Sequence, residues 1–123
     1  MRDPNKLEVY VRSVALADDV FILCESLPAR FRKTLIDQVL RAALSIPGNI
    51  GEGNGKDTHR EYLQYLRSAK GSSNELEAYM DVLVRAFPRV DQIPRLKAEL
   101  VTCKKMLGGL MKTVKRRIET EPD

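Results

Sequence analysis

Apolar positions recur at steps of three and four through four stretches of the chain, and no stretch alternates as a strand would. The first predicted helix runs from about Lys6 to Leu27. Leu7, Tyr10, Val14, Ala17, Phe21 and Cys24 form its main stripe, and Pro28 ends it. The second starts near Ala29 and reads Phe31, Leu35, Val39, Ala42, Ile46, Ile50. Pro47 falls inside that pattern; it removes one helical hydrogen bond and crowds the preceding turn, so a kinked but continuing helix is expected. Gly51, Gly53 and Gly55 are expected to stop it. The third opens on a capping-box pattern, Thr58 with Glu61, and carries the stripe Tyr62, Tyr65, Leu66, Ala69, Ser73, Leu76, Met80, Leu83 and Phe87 before Pro88. The fourth follows Asp91, an expected N-cap, with Pro94 tolerated in the first turn. Its stripe is Leu96, Leu100, Cys103, Leu107, Leu110, Val114 and Ile118. Helices of about 20 to 28 residues, roughly 30–42 Å each, joined by short connections predict one domain over residues 1–123. It is an all-α, up-down-up-down antiparallel four-helix bundle with helix two kinked at Pro47.

Three of these helices carry more apolar surface than one stripe. On the second, Ile36, Leu40, Ala43 and Leu44 widen the arc of Phe31, Leu35, Val39, Ala42 and Ile46 past roughly half the circumference at 100° per residue. The third has a second strip of Gly71, Ala78 and Val82 flanked by Arg67 and Glu75, and the first adds Leu16, Val20, Leu23 and Leu27 off its main stripe. A helix buried deep in a monomer could absorb such an arc. In a chain this short every bundle helix faces water on its outer side, so a subunit interface is the preferred reading.

Composition narrows the classes. The chain has 123 residues, 43% of them hydrophobic, which suits a packed core rather than disorder. Its 21 basic and 17 acidic residues leave a net charge of +4, which permits an acidic partner without requiring one. Trp is absent and Phe and Tyr together number seven, so few platforms exist for stacking bases. Cys24 and Cys103 match neither a zinc spacing nor a disulfide framework; buried free thiols are expected, with a bridge between the two as the lesser alternative. No apolar run is long enough to cross a membrane, and the opening Met-Arg-Asp-Pro lacks the apolar core of a signal peptide. A reducing cytoplasm is the expected setting.

Candidate chemistry is sparse. His59 is the single histidine and belongs to the first turn of the third helix, where a solvated side chain is expected. Gly51-Glu-Gly-Asn-Gly-Lys56 has glycines like a phosphate loop but lacks the Gly-Lys-Ser/Thr ending and follows a helix. Glu52, Glu61, Glu75 and Glu77 show no Glu-x-x-His spacing. Salt bridges to Arg60, Arg67 or Lys70 are the preferred reading; the alternative is a buried network of Asn49, Glu52, Arg67 and Glu75 that fixes helix register. No catalytic residue, metal site or cofactor is expected, and an enzyme is not predicted. The strongest electrostatic feature is the fourth helix, where six basic residues and no acidic one fall between Leu100 and Ile118. Lys104, Lys105, Lys112, Lys115 and Arg116 share one flank beside the apolar stripe, Lys97 joins them, and Arg117 lies apart. Such a flank suits phosphate contacts; equally, it is a solvated face whose terminal cations complement the helix dipole.

The stretch Arg41-Ala-Ala-Leu-Ser-Ile-Pro-Gly-Asn-Ile-Gly-Glu-Gly resembles the four-helix bundle proteins named after intervening sequences in large-subunit ribosomal RNA genes. Three other segments resemble that family too: Glu61-Tyr-Leu-Gln-Tyr-Leu-Arg-Ser-Ala-Lys-Gly-Ser-Ser-Asn-Glu-Leu-Glu, Leu7-Glu-Val-Tyr and Met106-Leu-Gly-Gly-Leu-Met-Lys. The resemblance covers nearly the whole chain and implies a closed ring, usually a homopentamer, without enzymatic activity. Tyr10 stands where that family often has tryptophan. Met106-Leu-Gly-Gly and the basic fourth helix are also similar to the accessory variability-determinant proteins of diversity-generating retroelements, which implies binding to a reverse transcriptase and nucleic acid. The expected function is therefore an oligomeric accessory protein that contacts RNA, DNA or a reverse transcriptase–RNA complex through Lys97, Lys104, Lys105, Lys112, Lys115 and Arg116. Ile36, Leu40, Ala43, Leu44, Arg67, Gly71, Glu75, Ala78 and Val82 would form the subunit interface. The alternative is a structural scaffold that binds only protein partners.

Overall fold

In the computed structural model, which describes residues 7–121, α1 spans Glu8–Ser26, and the Leu27 N–H bonds back to the Cys24 carbonyl. Pro28 has no backbone donor to continue the ladder, so the chain turns there. It re-enters helical geometry through a 3-10 segment, Ala29–Phe31, and one π turn, Arg32–Ile36. Then α2 runs Asp37–Asn54, α3 runs His59–Ala86 and α4 runs Gln92–Thr120. α1 packs on α2 and α4, and α3 packs on the same two helices. The result is the all-α four-helix bundle expected from periodicity, with no strand among the described residues. The expected first residue of helix one, Lys6, lies outside the described residues.

The buried stripes of α2, α3 and α4 follow the expected phases. Val39, Ala42, Ile46 and Ile50 meet Tyr62, Leu66, Ala69, Leu76, Met80 and Leu83, with Ile93, Leu100, Leu107 and Val114 closing the interior. In α1 the phase is different. Val9, Ser13, Leu16, Ala17, Val20, Leu23 and Cys24 are buried, whereas Val14 and Phe21 of the expected stripe are exposed. This helix is apolar on both sides, so spacing alone permits two phases. The observed one buries Leu16, Val20 and Leu23 and leaves Val14 and Phe21 in water, a choice made by the fit to the neighbouring helices. Ser13 satisfies its hydroxyl inside the helix by donating to the Tyr10 carbonyl at 2.8 Å.

Helix ends correct two further expectations. Gly51 and Gly53 do not stop α2; they are helical residues within it, and the helix ends at Asn54 with Gly55 as C-cap in right-handed geometry. Gly53 is there for space. A Cβ built on it would stand 2.5 Å from the Tyr65 Cβ and 3.2 Å from the Tyr62 carbonyl oxygen, so α3 approaches closer than any side chain allows. The same helix passes through Pro47 without ending. Asp91 makes no side-chain cap: its backbone is already right-handed helical (φ −63°, ψ −26°). Pro94, the third residue of α4, has no N–H to receive, and the Ile93 N–H is engaged by the Val90 carbonyl. Thr58 does cap α3 as expected, its Oγ1 accepting from the Glu61 N–H at 3.1 Å while its hydroxyl donates to Glu61 Oε1 at 3.0 Å.

Two glycine substitutions separate close approach from mere propensity. Gly53→Ala should destabilise the bundle by about 3 kcal/mol, because backbone and a tyrosine Cβ must move to admit a methyl group. Gly109→Ala, in α4 where an added Cβ meets nothing within 4 Å, should stabilise it by up to ~1 kcal/mol. Urea midpoints shifting in opposite directions would bear this out, and an unshifted Gly53→Ala midpoint would contradict it.

Candidate nucleic-acid interface

The basic flank of α4 divides in two. Lys97 pairs with Asp81 of α3, and Lys104 donates to Glu77 Oε1 at 2.6 Å, also on α3. The hydrogen bond to Asp81, then that carboxylate's charge, raises the Lys97 pKa above the ordinary lysine value. Pairs this open to water add little stability, because solvent screens them, but they do cancel charge. Lys105, Lys112, Lys115 and Arg116 are exposed and make no ion pair with a carboxylate among the described residues. The sequence between Leu100 and Ile118 contains no acid, yet the neighbouring helix supplies two. A signal was present: Glu77 and Asp81 share a face of α3 at i, i+4, and Lys97 and Lys104 share a face of α4 two turns apart.

The expected interface residues also separate. Ile36 and Ala43 are core residues of the single chain, 7% and 1% exposed, and are therefore unavailable as free surface. Leu40 is half-buried. Leu44, Arg67, Gly71, Glu75, Ala78 and Val82 are exposed. Sequence reasoning missed the outer face of α1, where Val11, Val14, Phe21 and Ile22 are 41–60% exposed. On α2, Ser45 and Gln38 hydrogen-bond to α3, and Leu44, about 100° round the helix from Ser45, lies off that contact and is exposed. The Cβ position of Gly51 lies 3.2 Å from the Tyr10 ring, so the C-terminal part of α2 packs against the start of α1.

The Ser-Ile-Pro-Gly-Asn stretch acts as a clamp between helices. Asn49 Nδ2 donates to the Ser45 carbonyl and to Ser45 Oγ at 2.8 and 2.9 Å, and the Ser72 hydroxyl of α3 donates to the same Oγ at 2.8 Å. The expected network of Asn49, Glu52, Arg67 and Glu75 does not form: Asn49 bonds Ser45, Glu52 pairs with Lys56 at 3.5 Å, and Arg67 and Glu75 are exposed. None of the observed ion pairs uses Arg60, Arg67 or Lys70. His59 is half-buried at the first residue of α3 rather than fully solvated.

No cluster of metal-ligating side chains occurs among the described residues. A groove of about 580 Å³ between α1 and α4 has Asp19, Arg95 and Glu99 on its rim over Leu23 and Leu96, and neither histidine nor cysteine lines it. Cys24 and Cys103 are buried free thiols. Burial pushes the Cys24 thiol up to about 11. Burial first and the Glu99 charge second raise that of Cys103.

A closed bundle of four helices with an exposed basic flank places the chain in a class of small all-α proteins. No helix among the described residues is long and apolar enough to cross a membrane. Residues 5–109 match the family model of the 23S rRNA-intervening sequence proteins, and the chain belongs to that family. The fold is similar to the crystal structure of a protein with unknown function from the S23 ribosomal protein family of Bacteroides thetaiotaomicron. The TM-score is 0.77 and the identity 23%, over 85% of this chain and 98% of that one. No protein with a curated description matches the chain.

The thiols supply a pH prediction. In the unfolded chain Cys24 ionises near its ordinary value of 9.0, and in the fold only near 11. The folded state therefore holds its proton longer, and this contribution to stability is complete below pH 9 and is lost as pH rises through 11. Denaturation midpoints should fall over that window, and Cys24→Ala should flatten the fall. An identical slope in the variant would exclude Cys24 as its source.

Proposed function

We propose that this chain is a non-enzymatic, oligomeric accessory protein that binds nucleic acid, RNA first among candidates, through the half of α4 that carries Lys105, Lys112, Lys115 and Arg116. The observation that carries the reading is the split of the basic flank: Lys97 and Lys104 are paired with α3, while the four residues beyond them keep their charge exposed. Lysines on a helix face contact phosphates as point charges, so such a surface binds without base readout. The name of the family, after 23S rRNA, supports RNA as the polymer. A reverse transcriptase–RNA complex is the narrower form of the same reading, resting on Met106-Leu-Gly-Gly and the basic character of α4.

Assembly is supported by the apolar side chains that the single chain leaves in water on α1, with Leu44 of α2 and Val82 of α3. Burying such surface yields about 25 cal/mol per Å². A ring would repeat the α4 flank around its axis and turn weak contacts into avid ones. The same apolar surface also favours the second reading, a scaffold that binds only protein.

Two measurements test this. Lys105→Glu with Lys112→Glu should leave the helices intact and weaken RNA and DNA binding alike, with the slope of log affinity against log salt smaller by about one per lost contact. Unchanged affinity would put the scaffold reading first. In light scattering the wild type should exceed a monomer mass at micromolar concentration, and Leu44→Glu should return it to a folded monomer by placing charge in a dry contact. A monomeric wild type would refute assembly.

A further inference from the structure

The two connections at one end of the bundle meet through their aromatic rings. Phe31, in the α1–α2 connection, and Phe87, after α3, pack edge to face with centroids 5.9 Å apart and planes at 73°. Five basic residues lie within two positions of one ring or the other: Arg30, Arg32, Lys33, Arg85 and Arg89. All five are exposed, and none makes an ion pair with a carboxylate among the described residues. Glu25, Asp37, Asp81 and Asp91 are the acids nearest along the chain, four against five; Asp81 pairs with Lys97, and none of the four pairs with any of the five cations. Like charges gathered around one aromatic pair repel each other and raise the local potential. Nothing in the bundle's packing requires them there.

Their chemistry is specific. Four of the five are arginines, whose planar forks fit phosphate oxygens two at a time, where a lysine offers a point charge. Arg30 is held in advance: its guanidinium carbon is 4.7 Å from the Phe31 ring centroid, so one face is stacked while its edge and outer face remain open. Less side-chain freedom is then lost on binding. The surface also continues along the molecule. Asp81, which pairs with Lys97, is one turn before Arg85 on α3, so the α3–α4 seam leads from this end to the free cations of α4. Lys105 is about 20 Å from Gln92 along α4, and Arg116 about 36 Å, a span of several nucleotides. The paired Lys97 and Lys104 lie between the two charged regions.

We propose that the arginine-rich end built on Phe31 and Phe87 is a second nucleic-acid contact, gripping the phosphate backbone of a strand that runs along the α3–α4 seam to Lys105 and beyond. The inference rests on the nucleic-acid reading above. It predicts that the end makes the stronger contact, because it offers four guanidinium forks, one of them, Arg30, held on Phe31 in advance.

The test uses the full chain with a fluorescein-labelled 15-nucleotide RNA, the DNA of the same sequence, and vesicles containing phosphatidylserine. Arg30→Gln with Arg32→Gln and Arg89→Gln removes three of the five cations of the end, and Lys105→Gln with Lys112→Gln removes two of α4. With helicity and melting unchanged, the end variant should bind RNA and DNA at least tenfold more weakly. Its log–log salt slope should fall by about two, at ~0.7 per lost contact to a single strand. Arg30→Lys with Arg89→Lys, which keeps charge and loses the forks, should be a few-fold weaker than wild type. If the α4 variant weakens and the end variant binds as wild type does, the end contact is refuted and the nucleic-acid reading stands. If the wild type binds neither polymer, both fall. If the end variant loses vesicle binding but keeps RNA binding, the end belongs to an anionic membrane surface and the proposal is overturned.

Discussion

The backbone contact between α2 and α3 at Gly53 governs how the rest of the bundle is arranged. With no Cβ at that position, the two helices close until the Tyr65 Cβ and the Tyr62 carbonyl touch the glycine. The approach sets one antiparallel register along the whole interface. Residue numbers sum to 117 for the hydrogen-bonded pairs Ser45–Ser72 and Gln38–Tyr79, and Gly53 with Tyr62 and Tyr65 brackets that value. In that register the apolar rows of α2 and α3 interlock: Val39, Ile46, Ile50, Leu66, Leu76 and Met80 are all but inaccessible to water. Hydrogen bonds contribute modestly here; close packing supplies most of the stabilisation, and the polar pairs penalise slippage.

Charge is distributed by the same register. Because α3 runs antiparallel to α4, Asp81 and Glu77 meet Lys97 and Lys104 in turn, and the middle of the seam is electrically quiet. Uncompensated cations are displaced towards the ends: Lys105 to Arg116 on α4, and the arginines beside Phe31 and Phe87 at the opposite pole. A net charge of +4 understates this, since potential depends on where unpaired charges lie rather than on their total.

Apolar surface is distributed just as unevenly. α1 is apolar around most of its circumference, and a bundle of four can bury only one side of it. Val11, Val14, Phe21 and Ile22 are the remainder. Small apolar side chains scattered on a surface need no cause, but four on one helix, with Leu44 on the next, form the type of patch that subunit contacts cover.

The linear sequence determined the helix count, the boundary at Pro28, the Thr58 cap and the core of α2, α3 and α4, because each depends on spacing or on a side chain's own backbone. Tertiary structure decided the phase of α1, where two apolar sides competed and only the neighbours' shapes could choose. It also decided the fate of Gly53, which reads as a helix stop in one dimension and serves as a point of contact in three. The cap expected of Asp91 failed for a local reason, legible in principle: Pro94 has no N–H to offer. The basic flank shows the limit most clearly. Six cations on α4 were visible in the sequence, and their spacing was right. Whether each charge is free depends on carboxylates some twenty residues away, because electrostatic pairing follows distance in space rather than distance along the chain.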